Sequence, residues 1–389
     1  MRTFAAFLGF AILFVVLWDA FETIVLPRRV NRRFRLTRLF YRSTWRPWRA
    51  FSRLLHGARR RETFLSFYGP LSLLLLLSVW AAGLIAGFAL LHWVDGSAFQ
   101  TAEGRASLAT DLYLSGSTFF SLGLGGVAPR SAFARALVVV ESGIGFGFLA
   151  MVISYLPVIY QAFSRREVTV SLLDARAGSP PTAAELLRGF SRDHGMEALR
   201  QLLHEWERWS AELLESHLSY PVLAYFRSQH NNQSWLGALT AILDTSALLL
   251  TGLEGADRRQ AKLTFAMARR AVADLARVFH TAPMKRADER LPADELAQLR
   301  SHLTAAGLPL REGIVVDEGL THLRRMYEPF VLALSEHLAL TLPPWMPGRR
   351  HTDNRQTRAW DRSFAPLGTE RKSWLKTGNF EDEVFGRGA

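Results

Sequence analysis

The chain has 389 residues, 49% of them hydrophobic, with 47 Lys and Arg against 35 Asp and Glu and no cysteine. The absence of cysteine excludes disulfides, cysteine-ligated zinc, iron–sulfur clusters and cysteine nucleophiles. Residues 28–61 hold thirteen Arg and no Lys, Asp or Glu, and since the formal net charge is +12, the rest of the chain sums to −1. Because the excess charge is confined to one segment, we expect no nucleic-acid binding.

Three hydrophobic stretches lie in the first 163 residues, at 4–26, 71–94 and 136–163. Each reaches the roughly 20 residues that a helix needs to cross a bilayer core of about 30 Å. The first stretch has no small-residue cleavage site and precedes the Arg-rich segment, so we interpret it as a retained membrane helix and not as a signal peptide. The predicted fold class is an all-α membrane protein with three transmembrane helices.

The distribution of arginine predicts the orientation. Residues 28–61 and the pair Arg165 and Arg166 flank the spans on one side, whereas residues 95–135 balance three Arg against three acids. The positive-inside rule then places the N-terminus outside and the C-terminus in the cytoplasm. We expect a multi-pass protein of a cell membrane, in a bacterium the inner membrane.

The segment between the second and third spans, residues 111–129, reads DLYLSGSTFFSLGLGGVAP. It is too apolar for a solvated loop and too short to cross the membrane twice as helices. Irregular backbone at membrane depth is tolerated only when it is buried in protein or lines a water-filled path. We therefore predict a re-entrant segment, with a short helix over 112–120 and an extended return over 121–126.

The return leg has the composition of an ion filter, in which successive backbone carbonyls face one axis and replace the water shell of the ion. Alternating left-handed residues achieve this orientation, and glycine adopts that conformation without steric penalty. The candidate filter residues are Ser121, Leu122, Gly123, Leu124 and Gly125. The Ser121 hydroxyl would add an oxygen at the inner end, and the negative C-terminal end of the preceding helix favours a cation.

SLGLGGVAP resembles the selectivity-filter signature of potassium channels, T-V-G-Y-G-D followed by a proline. The residues that match the pore helix and the inner helix of that family are Leu112, Tyr113, Ser115, Thr118, Arg135, Gly143, Ile144 and Gly145. The resemblance covers about residues 67–163 and implies a pore module of outer helix, pore loop 111–129 and inner helix 132–163. It implies K+ as the permeant ion in the filter.

Three positions depart from the signature: Ser121 replaces Thr, Leu124 replaces Tyr or Phe, and Gly126 replaces Asp. Leucine at the second position is similar to the second pore loop of two-pore-domain potassium channels. The departures remove side-chain bonds that brace the filter, so a poorly selective cation channel stays open as an alternative. A membrane-anchored sensor or scaffold with a non-conducting loop is the alternative from another class.

A chain with a single pore loop needs further copies of itself to complete a filter. Such filters need four copies of the loop around an axis, and residues 165–389 contain no second copy. We therefore expect a homotetramer in a lipid bilayer that conducts cations passively. We expect neither an enzymatic activity nor a cofactor.

The inner helix contains candidate gating residues. Gly143, Gly145 and Gly147 weaken the helix near its middle, although small residues also permit close packing of helices in lipid. Pro157 removes a backbone hydrogen bond and favours a kink. Glu141 is an intramembrane acid with two possible roles: it either braces the filter through the pore helix or attracts cations into the cavity.

The Arg-rich segment, residues 28–66, contains a stripe of Arg35, Arg38, Arg42, Arg46, Arg49 and Arg53 with aromatic residues opposite. Its many arginines favour a basic helix on the inner membrane surface, in contact with anionic lipid, over a voltage sensor. Pro47 is expected to divide or kink it. Asp19 and Glu22, near the end of the first helix (residues 1–27), are expected to meet arginines of this segment.

Residues 164–342 are predicted to form a mostly helical cytoplasmic regulatory domain, which begins with a short strand over 167–171. Thr182 to Glu185 is a capping box that opens a helix. Residues 343–389 are expected to be an extended or disordered tail. The histidines scattered through the domain are interpreted as ordinary surface or core residues, and no nucleotide-binding motif identifies its ligand.

Overall fold

The computed structural model describes residues 2–26, 35–95, 99–101, 107–123, 127–129, 131–191, 195–229, 232–253, 257–284 and 289–347. Two filter residues, Leu124 and Gly125, lie outside these ranges, as do residues 27–34 and most of the predicted tail. The described residues are almost entirely helical, which confirms the predicted all-α class. The two strands among them, β1 (Phe99–Thr101) and β2 (Val127–Pro129), pair antiparallel with Phe99 opposite Pro129.

Six helices form the N-terminal half. They are α1 (Arg2–Ala20), continued by a π-helical turn (Phe21–Val25), α2 (Leu36–Ser52), α3 (Ala58–Ser66), α4 (Tyr68–Val94), α5 (Leu108–Phe119) and α6 (Ala132–Ala177). Within the described part of the chain, three helical segments are long and apolar enough to span a membrane, namely Arg2–Val25, Ala58–Val94 and Ala132–Ala177. These are the three predicted spans.

Glycines bring α1 and α4 into close contact. A Cβ on Gly9 would lie 2.9 Å from the carbonyl oxygen of Gly87, and a Cβ on Gly83 would lie 2.9 Å from Val16 Cγ2. Gly83 and Gly87 are four residues apart and therefore share a face of α4. Such small residues allow helix backbones to approach in lipid, where apolar burial alone does not drive association.

The inner helix is longer than predicted. It begins at Ala132 but continues without interruption through Pro157 to Ala177, so the expected boundary at residue 163 falls inside a helix. The predicted strand over 167–171 is wrong for the same reason. Arg166, Val170, Leu173 and Ala177 recur at spacings of three and four and are all buried, which favours a helix with one face packed on the C-terminal helices.

Seven further helices and a 3₁₀ turn form the C-terminal domain. They are α7 (Ala183–Gly189), α8 (Gly195–Ser219), the turn Pro221–Tyr225, α9 (Trp235–Thr251), α10 (Arg258–Val278), α11 (Ala293–Ala305), α12 (Ile314–Arg325) and α13 (Glu328–Leu338). Helix α9 lies at the centre, and nearly all of its residues are buried. The predicted capping box is partly present, since the Thr182 hydroxyl accepts from the Glu185 N–H.

The first residues of the predicted tail belong to this core. Trp345 is fully buried, and the guanidinium groups of Arg290 and Arg324 lie 5.7 and 5.8 Å from its ring. Arg290 also donates to the carbonyl of Pro343 at 3.0 Å. Residues 343–347 of the predicted tail form neither helix nor strand, but they pack on the core, because cation–π contacts hold Trp345 there.

Candidate ion-conduction site

Helix α5 is the predicted pore helix. Ser107 caps its N-terminus: the Ser107 hydroxyl accepts from the Thr110 N–H at 3.3 Å, and the Thr110 hydroxyl accepts from the Ser107 N–H at 3.2 Å. This reciprocal capping starts the helix four residues before the predicted position. Its last helical residue is Phe119, and the chain turns immediately before the candidate filter.

Ser121 ends the pore helix in a left-handed conformation, with φ of 54°. The N–H of Leu122 donates to the Ser117 carbonyl at 2.8 Å, and the N–H of Ser121 donates to the Thr118 carbonyl at 3.0 Å. This pair of bonds is the Schellman arrangement, in which glycine usually occupies the left-handed position. The left-handed conformation of Ser121 was not predicted, because glycine is the residue that normally adopts it without steric penalty.

Gly123 is the second left-handed residue, with φ of 62°. A Cβ at this position would meet no atom within 4 Å, so the backbone conformation itself and not crowding favours glycine. Positive φ at residues 121 and 123 is the alternation expected for a filter lined by carbonyl groups. Leu124 and Gly125, the remaining predicted filter residues, lie outside the described part of the chain.

Gly145 brings the inner helix against the end of the pore helix. A Cβ on Gly145 would lie 2.1 Å from the carbonyl oxygen of Phe119, whereas a Cβ on Gly143 or Gly147 would meet nothing within 4 Å. The geometry therefore favours a packing role for Gly145. Gly143, Gly147 and Pro157 remain candidates for a hinge, and α6 is helical on both sides of Pro157.

Glu141 lies behind the pore helix and is fully buried. Its carboxyl group is hydrogen bonded to the Ser115 hydroxyl of α5, and its second oxygen lies 3.2 Å from His92 Nε2 of α4. Of the two roles predicted for Glu141, these contacts favour the brace. His92 was not found from the sequence, because a lone histidine near the end of an apolar helix gives no signal of its partner.

Asp111 is a second buried acid in this region and lies in the first turn of the pore helix. Neither of its carboxylate oxygens has a hydrogen-bond partner among the described residues. Three titratable side chains, His92, Asp111 and Glu141, are thus fully buried between α4, α5 and α6. We name these three residues, together with Ser115, the buried acid cluster.

Asp19 and Glu22 occupy different environments. Asp19 accepts from the Thr37 N–H at 3.1 and 3.2 Å and from Trp80 Nε1 at 3.0 Å, so it binds the N-terminus of α2, where an anion is favoured. Glu22 lies 3.6 Å from Arg35. The predicted arginine partner is therefore observed for Glu22, whereas the polar contacts described for Asp19 come from Thr37 and Trp80.

Helix α2 is continuous through Pro47 and carries the basic stripe. Its aromatic face packs on the protein: Tyr41 stacks on Tyr225 with ring centroids 5.7 Å apart, and Trp45 Nε1 donates to the His337 carbonyl at 2.8 Å. Arg49 lies 3.7 Å from Glu336 and is only partly exposed. The exposed members of the stripe are Arg38, Arg42, Arg46 and Arg53.

Arg166 joins the inner helix to the C-terminal domain. It is buried and donates to the carbonyls of Leu223 and Phe226 at 2.8 and 2.7 Å. Its guanidinium lies 3.3 Å from His217 Nε2, while His217 Nδ1 lies 2.8 Å from the Leu213 carbonyl. The ring therefore donates from Nδ1 and accepts at Nε2, and burial, with the nearby Arg166 charge, lowers the pKa of His217 to about 3.

Arg227 makes a second joint between the two halves. It pairs with Glu62 of α3 at 2.6 Å and donates to the carbonyls of Leu338 and Ala339 at 2.7 and 3.0 Å, at the C-terminal end of α13. Nearby, a Cβ on Gly69 of α4 would lie 2.8 Å from the Phe226 ring. The start of the outer helix is thus packed directly on the C-terminal domain.

Comparison with known proteins agrees with this geometry. Residues 74–161 match the family described as "Ion channel". This segment is similar to ion-channel proteins. The match begins at Leu74 within α4, covers the pore helix and the candidate filter, and ends at Gln161 of α6. It confirms the family resemblance drawn from the filter sequence.

A curated relative covers more of the chain. The chain is 22% identical over 247 residues to a protein of Bacillus subtilis (strain 168) named "Uncharacterized membrane protein YdjJ", a match that covers 63% of this chain and 70% of that protein. No solved structure matches the chain. The chain is therefore similar to another membrane protein beyond the pore module itself.

Proposed function

We propose that the protein is a passive cation channel that conducts potassium, with one pore loop per chain and four chains around the pore. The observation that carries this proposal is the left-handed Gly123, which directly follows the Schellman end of the pore helix. At this position the helix presents the negative end of its dipole, which favours a cation. Carbonyl groups that share one axis require four copies of the loop.

We also propose that the C-terminal domain controls the gate. Helix α6 runs without a break from the filter region to Ala177, and Arg166 ties it to the carbonyls of Leu223 and Phe226. A rearrangement of the C-terminal helices would therefore act on α6 directly. In this proposal the N-terminus is outside and the C-terminal domain is cytoplasmic, as the positive-inside rule predicts.

The exposed arginines of α2 support contact with anionic lipid. Arg38, Arg42, Arg46 and Arg53 are exposed, and each basic side chain near an anionic surface contributes about 1 kcal/mol of attraction. Replacing Arg42 and Arg46 by Gln should weaken binding to vesicles that contain anionic lipid, with neutral vesicles as the reference. Unchanged binding would remove lipid from the proposal.

The decisive experiment is ion flux through the purified protein in liposomes, with potassium and sodium compared. The proposal expects potassium flux that exceeds sodium flux, and equal fluxes would indicate the poorly selective cation channel. G123A should lose flux, because an L-residue with a Cβ disfavours the left-handed conformation by about 1 kcal/mol or more. G116A is the matched control, since a Cβ on Gly116 in the pore helix would meet nothing within 4 Å.

A further inference from the structure

The hydrogen-bond pattern of the buried acid cluster defines where its protons lie. The Ser115 hydroxyl oxygen is 2.8 Å from the Ile85 carbonyl oxygen of α4, and it is also hydrogen bonded to Glu141. A serine hydroxyl has one hydrogen to donate, and a carbonyl oxygen has none. If Ser115 donates to Ile85, the hydrogen shared by Ser115 and Glu141 must come from the carboxyl group.

The second oxygen of Glu141 completes the pattern. His92 Nε2 lies 3.2 Å from it. If this nitrogen carries a hydrogen, it donates that hydrogen to the C=O oxygen of the protonated Glu141. A protonated Glu141 therefore donates with one oxygen and accepts with the other. An ionised Glu141 would instead accept on both oxygens and leave Ser115 with two acceptors for one hydrogen.

The charge of the cluster favours a neutral form of at least one of its two carboxyl groups. His92, Asp111 and Glu141 are each fully buried, and two ionised carboxylates beside one histidine would leave an uncompensated buried negative charge, which is costly. Among the described residues of α4, α5 and the first four turns of α6, the one arginine is Arg135. It is exposed and donates to the Pro129 carbonyl at 3.4 Å.

We propose that Glu141 of the conducting channel is a neutral carboxylic acid, held by Ser115 and His92, and that loss of its proton draws the Ser115 hydrogen to Glu141 and breaks the bond that ties the pore helix to the Ile85 carbonyl of α4. Ser115 and His92 are then positioning residues for the filter, and proton occupancy at Glu141 regulates conduction. The regulatory part rests on the proposed channel function, whereas the protonation state does not.

The protonation state is tested without any current. Infrared spectra of the full-length protein in lipid at neutral pH should contain the C=O stretch of a protonated carboxylic acid, and this band should be absent in E141Q. D111N is the matched variant that removes the other buried acid of the cluster and should retain the Glu141 band. Identical carboxylic-acid bands in the wild-type protein and E141Q would overturn the assignment.

Conduction tests the regulatory part. E141Q, whose neutral amide both donates and accepts, should conduct within about twofold of the wild-type protein, whereas E141A should lose about tenfold, the change expected when a buried hydrogen-bond partner is removed. Wild-type flux should fall as the pH is raised, and E141Q flux should not. Equal losses of flux in E141Q and E141A, with both variants assembled as tetramers, would overturn the regulatory role. A wild-type protein that conducts no ions but keeps the infrared band would overturn the proposed function alone.

Discussion

Glycines of the inner helix differ in what surrounds them. A Cβ on Gly145 would lie 2.1 Å from a backbone oxygen of the pore helix, whereas one on Gly143 would meet nothing within 4 Å. We expect G145A to displace α6 from α5 and to lower both thermal stability and flux. G143A should keep its stability or increase it, since alanine is favoured over glycine in helices by up to about 1 kcal/mol.

Thermal unfolding of the two variants in the same detergent measures the difference. Equal stabilities of G145A and G143A would contradict the close approach of α6 to Phe119.

Ser121 has a backbone conformation that is energetically unfavourable for serine. Its φ of 54° is disfavoured by roughly 1–2 kcal/mol for an L-residue, and such strain tends to persist at functional sites. We expect S121G to raise thermal stability and to alter the ratio of potassium to sodium flux, because glycine relieves the strain but removes the hydroxyl oxygen. S121T should be less stable than either, since a β-branched residue is poorly tolerated at positive φ. A stability order in which S121G is lowest would refute the Schellman assignment.

At the scale of elements, α6 depends on Arg166 for its attachment to the C-terminal domain. R166M keeps the length of the side chain but removes the donor to both carbonyls. The Leu223 carbonyl keeps the Phe226 N–H at 3.1 Å, whereas the Phe226 carbonyl loses its Arg166 donor, at a cost of about 1–3 kcal/mol for an unsatisfied buried group. We expect faster limited proteolysis between the two halves and weaker control of the gate. R165M is the control, because the adjacent Arg165 is exposed. Identical digestion of the two variants would show that the joint lies elsewhere.

His217 makes the stability of this joint dependent on pH. Its pKa is lowered from 6.5 to about 3 by burial and by Arg166, so between these values the unfolded chain binds more protons at this site than the folded one. Stability should therefore decrease as the pH falls below 6.5, by on the order of 1–2 kcal/mol between pH 7 and pH 5. His337, whose pKa burial lowers to about 4, contributes in the same direction.

Apparent melting temperatures across this pH range check the expectation. H217Q should flatten the slope, and H204Q should not, because the His204 side chain is 71% exposed. A slope that is unchanged in H217Q would contradict the buried neutral imidazole.

At the scale of the whole molecule, α6 continues below the candidate filter to Ala177 as one helix. Val168 and Leu172 lie four residues apart on α6 and are 58% and 52% exposed, opposite the face that packs on the C-terminal domain. In the proposed four-fold assembly, this exposed face would meet its copies around the axis. The chain contains no cysteine, so V168C introduces a single thiol into the protein.

We expect V168C to form disulfide-linked dimers under mild oxidation, which requires Cα atoms within about 7 Å of each other. L263C, on an exposed position of α10, should remain monomeric on a denaturing gel. Absence of cross-linking in V168C, with flux intact, would place the lower part of α6 away from the axis.

The spans, the pore helix and the glycine-rich return could be predicted because their signals are local. About 20 consecutive apolar residues predict a membrane helix wherever it packs, and the left-handed preference of Gly123 belongs to the residue itself. The predicted strand over 167–171 failed because short apolar alternation also fits a helix that is buried on one face. Trp345 was assigned to an extended or disordered tail because prolines flank it and charged residues are scattered through 343–389.

The amino-acid sequence by itself determined that this chain crosses a membrane and carries one re-entrant loop with the composition of a filter. The tertiary structure decided which polar groups meet: Glu141 and His92 are 49 residues apart in sequence, and Arg166 and Phe226 are 60 apart. A residue's hydrophobicity and backbone preference are its own properties, whereas a hydrogen bond needs a partner that only the folded chain brings within reach. For this reason the span positions follow from the sequence, and the buried acid cluster and the joint at Arg166 follow from the fold.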